Sequence, residues 1–272
     1  MSRVLRFGKN TGGRDFVAGD VHACYGLVWQ ALQAARFHPE RDRLFCVGDL
    51  VDRGLEPQRV DAFLRQPWVH SVLGNHECML LELYEDGEPD EAVLRAFMNV
   101  IGARNGMAWW LDVPVPTRRS IIESFRKLPY VIELETERGS VGFVHAEVPA
   151  QLSWQQFVAK VEEGDKKVLT IATWGRDRVT EGDDAGVEGI DRVFVGHTPQ
   201  RAAKRLGNVY YVDTGAFLNV VGNRASAHLT FADVTARTQV LSAPPASRNG
   251  VNLITDVPDN PVPFGAYARA PG

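Results

Sequence analysis

Strand-length apolar runs in this chain end, again and again, in residues that hold metals or phosphates. Phe16-Val17-Ala18 leads into Gly19-Asp20-Val21-His22, and Leu44-Phe45-Cys46-Val47 into Gly48-Asp49-Leu50-Val51-Asp52-Arg53-Gly54. Val69 to Leu73 lead into Gly74-Asn75-His76-Glu77, Val141 to Val144 into His145-Ala146, Val193 to Val195 into Gly196-His197-Thr198, and Val209 to Val212 into Asp213-Thr214-Gly215. Runs of this length and composition, bounded by Gly, Asp or Asn, read as strands. A glycine at the exit lets the backbone turn sharply and approach a ligand closely. In open α/β sheets the ligand crevice lies outside the carboxyl ends of the strands. Carboxylate, amide and imidazole groups therefore collect at one sheet edge.

The strand expectations are residues 16–19, 44–48, 69–73, 141–144, 193–196, 209–212 and 227–231. Between the early ones, residues 25–35 place Leu27, Val28, Ala31, Leu32 and Ala35 on one face of a helix. Residues 57–66 open with Pro57, which suits a first helical position. Alternating strand and helix implies an α/β fold whose early sheet is largely parallel. The later strands lie closer together, which predicts an antiparallel second half. The expected architecture is a central β-sandwich of two mixed sheets flanked by helices.

Residues 78–128 read as helical, with 89–128 as an insert beside the site. Ser120 with Glu123, and Ser153 with Gln156, match capping boxes and mark helix starts. From Ser242 onward Pro244, Pro245, Pro258, Pro261, Pro263 and Pro271 interrupt any regular element. The domain expectation is a catalytic body over 1–241 and an irregular, proline-rich tail over 242–272.

At 272 residues the chain can bury a large core as one large domain or two small ones. A net charge of −4 argues against a dedicated nucleic-acid binder, which would show a basic stripe. Cys24, Cys46 and Cys78 match neither a zinc spacing nor a disulfide framework. They read as small packing residues, with oxidation sensitivity as the alternative. The start carries no signal-peptide pattern, and no run approaches the ~20 apolar residues of a membrane span. The expectation is a cytoplasmic protein with no membrane or nucleic-acid partner.

Asp20 and His22, two positions apart, can reach one metal where the chain leaves the sheet; an Asp turn with a surface His is the plainer alternative. Asp49 and Asn75 end two further strands, and His145 and His197 two more. Carboxylates, an amide oxygen and imidazoles together suit Mn²⁺, Fe or Zn²⁺ better than Ca²⁺ or a thiolate site. Asn75 and His76 are adjacent and point apart on an extended segment, so they do not share a metal.

Taken together, the GDxH, GDLVDRG, GNHE, H-A and GHTP motifs resemble the calcineurin-like metallophosphoesterases. Within them the chain is most similar to the phosphoprotein phosphatase group of bacterial and bacteriophage lambda type. The resemblance runs from Gly19 to about Asn219 and departs at Ala23, where that family usually has Gly. It implies that Asp20 and His22 hold a first metal, that Asp49 bridges, and that Asn75, His145 and His197 hold a second. It also implies His76 as general acid oriented by Asp52, with Arg53 and Arg176 binding phosphate. In-line attack on a phosphate monoester by a metal-bridging hydroxide would follow, with two divalent ions, Mn²⁺ before Fe or Zn²⁺. Asp52 as a simple turn cap is the competing reading of that residue, and Arg176 rests only on Trp174-Gly175-Arg176. Glu77 is read as an acid at a helix start, and Thr198 and Asp213 as supports for His197.

The resemblance implies phosphorylated protein or peptide as substrate, with small phosphate esters as further substrates. A hydrolase of symmetrical dinucleoside polyphosphates is the alternative on the same scaffold. That sister group usually carries a small residue in place of Asp52 and Asp in place of Glu77. A metal-binding scaffold without catalysis would need a missing ligand, and a metallonuclease is disfavoured by the acidic balance.

Overall fold

The structure is a computed structural model that describes residues 2–235 and 250–254. Eleven strands are described: β1 (Val4–Phe7), β2 (Asp15–Ala18), β3 (Arg43–Cys46), β4 (Val69–Ser71), β5 (Val131–Thr136), β6 (Gly139–Val144), β7 (Arg192–Val195), β8 (Lys204–Leu206), β9 (Val209–Tyr211), β10 (Leu229–Asp233) and β11 (Val251–Ile254). They form two sheets, ordered β1-β5-β6-β7-β9-β8 and β11-β10-β2-β3-β4. Both are mixed, and helices cover their outer faces, as the sequence leads one to expect.

The sheets meet through an aromatic ladder. Phe143, Phe194 and Tyr210 are registered neighbours across β6, β7 and β9, and their rings stack at 5.7 and 5.2 Å between centroids. Phe45 of β3 completes the ladder from the opposite sheet, 4.8 Å from Phe143. Such pairs add about 0.5–1.5 kcal/mol each beyond the area they bury. They fix how the two sheets face one another, and so where their loops converge.

The expected antiparallel second half is corrected: β6 pairs with β7, and β7 with β9, in parallel. A parallel pair needs a long crossover, and helices Trp154–Glu163, Lys166–Trp174 and Asp177–Glu181 supply it between β6 and β7. The first of these shows why it forms. Ser153 accepts from the Gln156 amide, and the Gln156 side chain answers to Ser153 N–H. Trp154, Phe157, Val158 and Val161 make one buried stripe, and Gly164 ends the helix in the left-handed region.

Ser120 does not start a helix. It lies inside Val115–Phe125, whose start is set by Pro114 and Pro116, and its hydroxyl donates to Asp61. Residues 91–125 are mostly helical, in pieces 91–105 with a π-helical stretch at Met98–Gly102, a 3-10 turn Ala108–Asp112 and helix Val115–Phe125, broken at residues 106–107 and 113–114. In the tail, Val251–Ile254 pairs in parallel with β10 where an irregular segment was expected. The other residues of the 242–272 expectation, Gly250 apart, lie outside the described residues.

Candidate metal centre

The carboxyl ends of β2, β3 and β4 and those of β6, β7 and β9 open onto one place. Six of the eight non-glycine residues with positive φ among the described residues lie there: His22, Ala23, Asp49, Asp52, Arg53 and His197. Left-handed backbone costs such residues about 1–2 kcal/mol each, and it collects where surrounding structure enforces it. Two glycines show how tight the packing is. A Cβ on Gly74 would fall 2.2 Å from Asp49 Oδ1, and one on Gly54 would fall 2.0 Å from the His22 carbonyl.

Asp49 stands at the centre. Its Oδ2 lies 3.5 Å from His22 Nε2 and 3.8 Å from His76 Nε2, and its Oδ1 lies 3.4 Å from His145 Nε2. Two groups of donors share it: His22, Asp49 and His76, and Asp49, His145 and His197, with the atoms of each group within 4.8 Å of one another. Asn75 joins the second, its Oδ1 2.8 Å from His145 Nε2 and 2.9 Å from His197 Nδ1. Asn75 and His76 open the helix Asn75–Leu83, where an extended segment was expected, and Asp49 Oδ1 accepts the His76 amide at this electropositive helix end.

Backbone carbonyls set the imidazole tautomers. His22 Nδ1 donates to Val51 O at 3.0 Å and His145 Nδ1 to Val47 O at 2.7 Å. Both Nε2 atoms are left with a lone pair facing the cluster, the arrangement of metal-bound histidines. Burial, ahead of any charge effect, keeps His22 and His145 below the usual imidazole pKa and takes His197 down to about 3. The lone pairs of His145 Nε2 and Asn75 Oδ1 thus meet at 2.8 Å, and a cation resolves that crowding. Burial and then mutual repulsion raise Asp20 well above the carboxylate range; burial takes Asp213 to about 7. Positive charge is what would let both ionise. The donor set therefore fits divalent metal.

Asp20 accepts the His197 amide through both oxygens, at 3.2 and 3.0 Å. It lies near enough to Asp49 to be repelled by it. His76 Nδ1 is 2.7 Å from Asp52 Oδ2, and its buried Nε2 has no hydrogen-bond partner among the described residues. Burial opposes charge on His76, but Asp49 and Asp52 outweigh it and raise its pKa. Arg53 and Arg176 stand at opposite ends of the cluster, Nη1 3.1 Å from His22 Nε2 and Nε 3.0 Å from His197 Nε2.

Asp20, His22, Asp49, Asn75, His145 and His197 are thus brought to one place, with His76, Asp52, Arg53 and Arg176 against them. Glu77 does more than sit at a helix start: its carboxylate accepts the amides of Asp49, Leu50 and Gly74 at 2.8–2.9 Å. Two contributors were not legible. Trp109 donates to Asp52 Oδ1 at 2.6 Å, and the Phe217 ring lies under the Arg53 guanidinium at 4.8 Å. No motif marks either, since tertiary packing brings them in.

Fold and site together define a metal-dependent hydrolase. Residues 16–201 match the calcineurin-like phosphoesterase family, and the chain belongs to that family. It is 31% identical over 204 residues to serine/threonine-protein phosphatase 1 of Salmonella typhimurium, covering 74% of this chain and 86% of that protein. It is 30% identical over 162 residues to a symmetrical bis(5'-nucleosyl)-tetraphosphatase of Coxiella burnetii, covering 58% of this chain and 49% of that one. Among solved structures, a putative diadenosine tetraphosphatase superposes with a TM-score of 0.58 at 20% identity, covering 86% of this chain and 95% of that one. That likeness concerns the fold. Among the described residues no helix is long and apolar enough to cross a membrane.

Proposed function

We propose that this phosphoesterase is a serine/threonine protein phosphatase. It would act on phosphate monoesters of phosphorylated proteins or peptides and, as accessory substrates, on small phosphate esters. The observation that carries the reading is Asp49 shared between two donor groups, with the His76–Asp52 pair beside it. In this reading Asp20 and His22 hold one divalent ion, Asn75, His145 and His197 a second, and Asp49 both. Mn²⁺ is the first choice, with Fe or Zn²⁺ suited to the same donors. Two such ions would lower the pKa of an attacking water and neutralise charge on the phosphoryl oxygens.

The chain's own residues do the rest. Arg53 and Arg176, at the two ends of the cluster, grip phosphate oxygens, to which guanidinium pairs bidentately. A serine alkoxide is a poor leaving group, so its departure needs a proton. His76, whose Nε2 has no hydrogen-bond partner among the described residues and whose pKa is raised, delivers it. Asp52 holds Nδ1 and keeps that proton on Nε2. Glu77 pins the turn that carries Asp49, and the Asp20 carboxyl braces the His197 loop through the His197 amide. A cytoplasmic location belongs to the same reading, supported by three buried free cysteines.

The Coxiella relative favours a second reading, hydrolysis of symmetrical dinucleoside polyphosphates. Asp52 weighs against it, because the acid pair suits an alkoxide more than a phosphate leaving group. The test is metal-depleted protein reloaded with Mn²⁺, assayed on a phosphoserine peptide and on diadenosine tetraphosphate, with metal counted per chain. Preference for the peptide with two metals bound is expected. Preference for the dinucleotide would replace the first reading by the second.

A further inference from the structure

We propose that Trp109, carried on the helical segment beside the site, is a positioning residue for the acid pair. The inference rests on the reading of His76 as proton donor. Asp52 is fully buried, and its two oxygens are divided: Oδ1 accepts the indole N–H of Trp109 at 2.6 Å, and Oδ2 lies 2.7 Å from His76 Nδ1. An indole can only donate. Asp52 Oδ1 therefore accepts; burial raises the Asp52 pKa, and the bonds from His76 and Trp109 oppose it by favouring the carboxylate, whose Oδ2 accepts the His76 Nδ1 proton. Both bonds converge on the carboxylate, the indole donating to Oδ1 and the imidazole Nδ1 to Oδ2, so the second proton of a protonated His76 sits on Nε2.

Geometry gives the second half of the argument. A carboxylate held at one oxygen can rotate about its last side-chain bond. Donors on both oxygens fix its plane, and with it the direction of the His76 ring. The segment bearing Trp109 is seated on the same turn. The Gly106 carbonyl accepts the Arg53 amide at 3.4 Å, and a Cβ on Gly106 would fall 2.8 Å from Arg53 N, so no side chain fits between them. Asp52 and Arg53 are both left-handed there, at φ 67° and 65°. Trp109 is itself fixed by an edge-on contact with Trp110, 5.1 Å away, which is fully buried, as is Met107. The helical segment thus supplies a strut to the acid pair as well as a wall beside the site.

The test is Trp109→Phe in the full chain, which keeps the aromatic body and removes the donor. On Mn²⁺-loaded enzyme kcat should fall about thirtyfold on phenyl phosphate but only about threefold on p-nitrophenyl phosphate, whose leaving group needs little protonation, with KM held within about twofold. In a His76→Asn background, Trp109→Phe should add no further loss. Equal losses on the two substrates, or full additivity with His76→Asn, would reduce Trp109 to a structural role and overturn the proposal. A readout without turnover decides it separately. The Trp109 indole proton, identified by its absence from the NMR spectrum of Trp109→Phe, should move upfield in Asp52→Asn, and a resonance that stays in place overturns the hydrogen bond. Wild-type protein inactive on both esters would instead refute the phosphatase reading, and the indole resonance would still decide the role of Trp109.

Discussion

The two sheets contribute unequal halves to the metal centre. The β2–β3–β4 side brings Asp20, His22, Asp49 and Asn75 and, with them, the His76–Asp52 pair and Arg53. The β6–β7–β9 side brings the imidazoles of His145 and His197. Five of the six left-handed residues belong to the first half and only His197 to the second. The first half is also braced from within, by Glu77 accepting three backbone amides. The second depends on the first for its orientation, since His145 is set by the Val47 carbonyl and the His197 amide is held by Asp20. The difference teaches that charge and strain sit together on one sheet, while the other completes the donor set once the two have packed.

Damage to the first half should therefore be the more severe. Asp49→Asn removes charge from both donor groups, so turnover should fall about 10⁴-fold or more with both metals lost; an undiminished metal count would break the bridging assignment. His197→Asn, on the second sheet, should remove one metal and cost about 10³-fold in kcat, as read by metal content alongside phosphate release. His76→Asn should keep both metals and cost about 10²-fold on phenyl phosphate, much less on p-nitrophenyl phosphate. Loss of metal in that variant would make His76 a ligand.

Away from the centre, burial and then Arg43 hold His70, packed between Phe7 and Phe45, down to about pH 4 in its titration. Its folded pKa lies below its unfolded one, so the unfolded chain takes the proton first. Stability is intact above about pH 6.5 and drains away as pH falls toward 4. Denaturation midpoints should show wild type losing about 2 kcal/mol more than His70→Phe between pH 6.5 and 5. Smallest of all, Ala23→Gly should stabilise by about 0.5–1 kcal/mol, because Ala23 sits at φ 54°. A destabilised Ala23→Gly would mean that its methyl packs better than the backbone strain costs.

The same asymmetry governs what the sequence discloses. On the first sheet several functional residues share one motif, so Asp49, Asp52 and Arg53 announce one another. On the second His145 and His197 are isolated letters that gain meaning only beside the others. The seven expected strands all appear within a few residues of their places. β1, β5, β8 and β11 were missed: β5 mixes charge into its run as Val-Ile-Glu-Leu-Glu-Thr, and β8 is only Lys-Arg-Leu. Strand direction in the second sheet was misjudged because it depends on which neighbour a strand pairs with, and spacing does not encode that. Ser120 mimicked a cap because a serine and a glutamate three apart also arise on an exposed helix turn. Trp109 and Phe217 could not be found at all, since each acts on residues more than fifty positions away.

The short strand Val251–Ile254 has one consequence beyond the site. It lies along β10, whose other side is taken by β2. If the chain were shortened before Val251, β10 would become the border of its sheet, a row of unpaired amides and carbonyls over a fully buried sequence. Such a border templates the addition of strands from other molecules. The shortened protein would keep every catalytic group and still tend to stick to itself, so the ending that looks dispensable in composition acts as a guard against aggregation.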